Sequence, residues 1–170
     1  MRGGIFVAAA LAAAFATPAA QAETTKSFPV SATVLNGCAV VTNAGQSWGV
    51  IDLGTTPGTP NATAQGTLVS AGGAGIAVEC TPGVTAALIA DAGANANGGV
   101  RQLRQAGGAA TIAYQLFADG SNTAWGSGAV SLPFAPGVKR RLVPVRAVAV
   151  LTGARPAGTY VDTVRITLSW

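Results

Sequence analysis

The stretch that most constrains this chain is its last. From Tyr160 onward the even positions carry Tyr160, Val164, Ile166, Leu168 and Trp170, and the odd ones Thr163, Arg165, Thr167 and Ser169. A period of two places those sets on opposite faces of an extended strand, whereas a helix would scatter both around its circumference. The run is expected to be a half-buried strand, interrupted on its apolar face only by Asp162 and on its polar face only by Val161. Pro156 and Gly158 mark the turn that feeds it. With Trp170 as the last residue, no turn and no further strand follow, so the sheet is expected to leave an unpaired edge beside its core.

A second alternating segment lies near the start, where Phe28, Val30, Ala32 and Val34 interleave with Pro29, Ser31 and Thr33. Proline has no backbone donor, so Pro29 places this strand at an edge or between molecules. Between the two ends the chain offers only short strands. Ala39 to Val41, Ser47 to Gly54, Thr67 to Val69, Ile76 to Cys80, Val84 to Ala90, Thr111 to Ala118 and Arg141 to Leu151 alternate or run apolar, with Pro144 suggesting an edge or bulge. Arg101 to Arg104 looks like a short edge strand, and Thr55 to Gln65, with Pro57, Gly58 and Pro60, like a loop. No stretch makes a convincing helix, and the spacing is that of an all-β sandwich.

The compartment follows from the first residues. Met1-Arg2, an apolar run from Ile5 to Phe15, Pro18 and Ala20-Gln21-Ala22 have the layout of a secretory signal peptide cleaved after Ala22. In an exported chain without histidine, the even pair Cys38 and Cys80 is expected to form a disulfide rather than bind metal. Closing a loop of that size contributes roughly 4 kcal/mol in the chain-entropy treatment.

Charge and residue types exclude most chemistry. Of the ten Lys and Arg, the nine that remain without Arg2 face six Asp and Glu, too mild an excess to argue for nucleic acid. Lys139-Arg140-Arg141 is expected to be a solvated strand start. A serine nucleophile would lack a histidine base, the carboxylates are scattered beside turns, and no dense Asp/Asn loop supplies oxygen ligands for a metal. Gly72-Gly73-Ala74-Gly75 fits a hairpin loop, because no Lys-Ser/Thr follows to hold a phosphate. Trp48, Trp125 and Trp170 are more readily core fillers than sugar platforms. No catalytic, metal or cofactor site is expected.

Taken together, the alternating segment before Cys38, Cys80 followed by a turn, Tyr114-Gln115-Leu116-Phe117 before Asp119-Gly120, Trp125-Gly126, and the Gly158-x-Tyr160-x-Asp162 strand leading to an aromatic end resemble the spore coat protein U family. These are the subunits of archaic, Csu-type chaperone-usher pili. The final residue is itself the aromatic here, where other pilins carry theirs one position earlier. The resemblance implies an incomplete immunoglobulin-like β-sandwich lacking its last strand, completed by a donor strand from a neighbouring subunit or a chaperone. It implies a signal peptide over 1–22, a donor-strand extension over 23–37 and the sandwich domain over 38–170. Phe28, Val30, Ala32 and Val34 then form the donor strand. Val164, Ile166 and Leu168 line the acceptor groove, with Tyr160 and Trp170 at its ends. The implied partners are a periplasmic chaperone, an outer-membrane usher and other pilin subunits joined head to tail, with no nucleic acid. The implied route runs through the periplasm to the cell surface. A tip adhesin would carry an additional binding domain, so a rod or minor subunit is expected. The rival expectation is a monomeric secreted binding module, for example for carbohydrate, whose own N-terminal strand covers the edge.

Overall fold

The computed structural model describes residues 25–42 and 47–170; the expected signal peptide and its cleavage site lie outside the described residues. The chain divides between Thr33 and Val34 into two units. Of the first, residues 25–33 belong to no helix or strand, and their side chains are exposed, Phe28 and Val30 by 81% and 85%. The strand expected over Phe28 to Val34 is thus not formed within this chain.

The second unit is all-β. Its elements are β1 (Cys38–Val40), β2 (Val50–Ile51), β3 (Thr63–Val69), β4 (Ile76–Cys80), β5 (Thr85–Ala90), β6 (Gln102–Gln105), β7 (Thr111–Ala118), β8 (Val130–Pro133), β9 (Arg140–Val143), β10 (Val145–Val150), β11 (Tyr160–Val161) and β12 (Ile166–Ser169). Among the described residues no helix is long and apolar enough to cross a membrane.

One face is a six-stranded sheet in the order β11-β6-β7-β10-β3-β2. The other consists of two three-stranded pieces, β1-β4-β9 and β12-β5-β8. These pieces share one long strand pair. β4 runs on into β5 and pairs with β9 and β8 in turn, and the join is bridged by Cys80 N donating to Lys139 O, Gly83 N to Phe134 O and Phe134 N to Val84 O. With β9 and β8 along one flank, β1 and β12 take the other, β1 against β4 and β12 against β5. Pro144 stands between β9 and β10, where the chain passes from one sheet to the other. A residue without a donor costs no ladder bond at such a crossing, and its carbonyl still accepts from Asp119 N at 2.9 Å.

The core mixes very small with large side chains. Ala86, Ala90, Ala118, Ala147 and Ala149 are buried beside Ile76, Leu88, Leu132, Phe134, Tyr114 and Trp125, so sheets rich in alanine still fill their interior. Trp125 lies in this core with its indole N–H donating to Gly128 O; Trp48 packs half-buried against it, while Trp170 stays 59% exposed.

Besides the strand not formed at Phe28 to Val34 and the core position that Trp170 does not take, two expectations from sequence are corrected. β3 begins at Thr63 rather than after a loop ending at Gln65, because Thr63, Ala64 and Gln65 already pair in the ladder with Val150, Ala149 and Val148 of β10. Arg101 to Arg104 does not form an edge: β6 lies between β11 and β7, since the two residues of β11 pair along its outer side. The cluster at Lys139 to Arg141 is largely solvated, with Arg140 3.5 Å from Glu79 and Arg141 3.3 Å from Asp119, pairs worth little at such exposure.

Candidate functional site

β12 is an edge strand, as are β1, β2, β8, β9 and β11 among the described residues, and it is the one that carries the alternating C-terminal run. Its one neighbour is β5, with Ile166 opposite Ala90, Thr167 opposite Ile89, Leu168 opposite Leu88 and Ser169 opposite Ala87. Along the last stretch Tyr160, Asp162, Val164, Ile166 and Leu168 are half-buried, and the residues between them are exposed. Val164, Ile166 and Leu168 pack against the core with one flank still in contact with solvent, which is the state of side chains next to a missing strand. Trp48, Ile51 and Leu53, in and beside the edge strand β2, are half-buried against the same core.

Tyr160 also fastens the turn before it, its hydroxyl donating to Pro156 O at 2.9 Å. This is the bond of a tyrosine corner, in which a tyrosine at the start of a late strand ties back to the backbone a few residues upstream. Trp170 does not join the core, whereas Tyr160 does.

Asp162, the one acidic residue on the apolar face, occupies the crossing between β11 in the six-stranded sheet and β12 in the other layer. Its carboxylate accepts from Tyr114 Oη at 2.8 Å, from Asn95 N at 3.0 Å and from Asn95 Nδ2 at 3.1 Å. Burial, and then the bond to Asp162, push the Tyr114 phenol well above its usual range. Asp91 clasps the same crossing from below: its N donates to Arg165 O, and its carboxylate accepts from Arg165 N, both at 2.9 Å. Arg101, 7% exposed, holds the loop in turn by donating to the carbonyls of Asp91, Trp125 and Gly126. A buried cation is tolerated here because backbone oxygens replace its water.

None of these polar roles is apparent from periodicity. The one available signal was Asp162 itself, since a carboxylate on the inward face of a strand requires partners.

At the other end of the domain Cys38 and Cys80 face each other in register and are joined by a disulfide. Thr81 N donates to Gly37 O just beyond. The residues leading to that point, Val34 and Leu35, are 86% and 80% exposed.

The fold and this edge define a class: an all-β sandwich domain whose last strand has an unfilled flank. The Spore Coat Protein U domain matches residues 24–167, and the chain belongs to that family. Among 13 matching chains of solved structures is one from the crystal structure of the CsuC-CsuE chaperone-tip adhesion subunit pre-assembly complex from the archaic chaperone-usher Csu pili of Acinetobacter baumannii. It superposes with a TM-score of 0.53 at 21% identity, a likeness of fold that covers 81% of this chain and 40% of that one. This chain therefore spans about two fifths of the length of that solved chain. No curated protein matches.

Proposed function

We propose that this chain is a structural subunit of a surface fibre assembled by chaperone-usher donor-strand exchange, serving adhesion, biofilm or coat formation. The observation that carries this is the half-buried row Val164, Ile166 and Leu168 on a strand with one flank unpaired, in a chain that also presents an alternating segment with exposed Phe28, Val30 and Val34. Residues 1–22 act as the signal peptide, 23–37 as the donor extension and 38–170 as the acceptor domain. The groove runs along β12, between Tyr160 and Trp170. A periplasmic chaperone fills it first, and the extension of the next subunit replaces the chaperone at the outer-membrane usher. The domain then works as a building element and has no reaction to catalyse.

Insertion of Phe28, Val30, Ala32 and Val34 gives a gross gain on the order of 5 to 8 kcal/mol before ordering costs, with ladder bonds along the edge added to it. A head-to-tail contact of this kind does not close on itself, so it builds a filament.

The test is co-expression of the chain with a chaperone, followed by gel filtration, beside a variant lacking residues 23–34. A ladder of oligomers from the full chain, and a chaperone complex without the ladder from the truncated one, are expected. A lone stable monomer would favour the secreted binding module, and long fibres from the truncated chain would overturn the donor assignment.

A further inference from the structure

The crossing at residues 162–165 is held more tightly than a connection between sheets requires. Besides the Asp162 and Asp91 bonds, Ala94 N donates to Thr163 O at 2.9 Å and Asn95 Nδ2 to Val161 O at 3.0 Å. Gly93 sits against the Asp162 carboxylate at φ +84°, so that a Cβ there would collide with the carboxylate oxygens. Every bond comes from residues 91–95 or from Tyr114, and all act before the first residue of β12.

β12 itself is poorly defended against slipping. It pairs with one neighbour over four residues, and its inward side chains, Ile166 and Leu168, are similar in size. A shift by two residues along β5 keeps the apolar side chains facing inward, and a shift by one turns them all to solvent. A strand whose far flank is empty has no second neighbour to correct either error. A carboxylate can do so, because it accepts its three bonds in only one position and loses them together when the strand moves.

We propose that Asp162, clamped by Tyr114 and Asn95, is the register pin of the acceptor edge: it fixes where Val164, Ile166 and Leu168 stand before any donor strand arrives. Asp162, Tyr114 and Asn95 are positioning residues. The pin goes beyond the fibre reading and depends on it only for the use made of the edge.

The test separates the two. Thr167 lies opposite Ile89, and both are exposed. Cross-linking of Thr167→Cys with Ile89→Cys therefore reports the native register, and Thr167→Cys with Ala87→Cys reports a slip of two. Both pairs are made in the purified full chain, with and without Asp162→Ala. Capture of a labelled peptide of residues 23–37 is measured in parallel on chains without the added cysteines.

With Asp162→Ala, native-register cross-linking and peptide capture should each fall by at least about tenfold, the factor that one charge-assisted hydrogen bond corresponds to. The slipped pair should gain what the native pair loses. Tyr114→Phe, which removes one bond and keeps the core volume, should show a smaller shift in the same direction. It carries the test if Asp162→Ala does not accumulate. Unchanged native cross-linking in the variants overturns the pin, whatever happens to capture. If the unaltered chain captures no peptide, the fibre reading fails, while the cross-linking still decides the pin.

Discussion

Residues 28–34 and 160–168 carry nearly the same pattern, four apolar positions at a period of two with only Asp162 interrupting the second, and end in opposite states. In the second the inward side chains pack half-buried on a core; in the first Phe28, Val30 and Val34 are more than four fifths exposed. Alternation specifies a face and leaves open what covers it. The late strand has β5 beside it and a polar clamp at Asp162, whereas no strand forms at residues 25–37. An isolated strand cannot offset its ordering cost, so an apolar alternating segment stays unstructured until a sheet edge is supplied.

The sharpest way to break this comparison is Ile166→Asp, which places a charge on the inward face of β12. It costs several kcal/mol and should abolish both chaperone capture and heat-resistant oligomers. Thr167→Asp, on the exposed face, should leave both nearly intact. Equal loss in the two variants would mean that the facing is wrong.

Next in size is the disulfide, whose cysteines are 42 residues apart. Replacing both by serine should lower stability by about 4 kcal/mol in denaturant unfolding, with a smaller loss if the unfolded chain remains compact. Phe28→Ala should not change the stability of the chain by itself, since the ring is exposed, yet should weaken strand donation by about 2 to 3 kcal/mol. A matched loss in unfolding stability would show that the segment already packs within its own chain.

The smallest effect is Tyr114→Phe, which should cost about 1.5 kcal/mol. It carries a pH signature. Because the folded phenol titrates above its ordinary value of 10.0, its contribution is complete below that pH. It is lost as the unfolded chain deprotonates at higher pH. The unaltered chain should lose stability in alkali with one proton more of slope than the Tyr114→Phe variant, as read from urea midpoints across that range.

The sequence made legible whatever depends on repetition or on a compartment. The facing of Val164, Ile166 and Leu168 followed from the period of two, and the Cys38–Cys80 bond from an even pair, without histidine, behind a start with the layout of a signal peptide. Strand limits suffered where side chains are small. Thr63 to Gln65 has no large apolar member, and its strand is defined by ladder pairing with Val148 to Val150 of β10, a partner remote in sequence. The polar clamp was out of reach for a different reason. Asn95, Tyr114 and Asp162 meet only once three separate elements are in place, and Arg101 resembles any surface arginine until the carbonyls of Asp91, Trp125 and Gly126 close around it.

The position of the disulfide gains a mechanical meaning in a fibre built as proposed. A pull on the extension enters the domain at Cys38 and passes at once through a covalent bond to Cys80, on the long β4–β5 strand that also carries β12. The residues between the cysteines, which include β2 and β3, are bypassed by the load. Without that bond, a tug would draw on 42 residues of slack, which at roughly 3.4 Å per extended residue amounts to about 140 Å per subunit. With it, tension passes from Cys80 along β5 and through the β5–β12 ladder to the donor strand, so the domain is loaded in shear across paired strands and residues 39–79 stay out of the path.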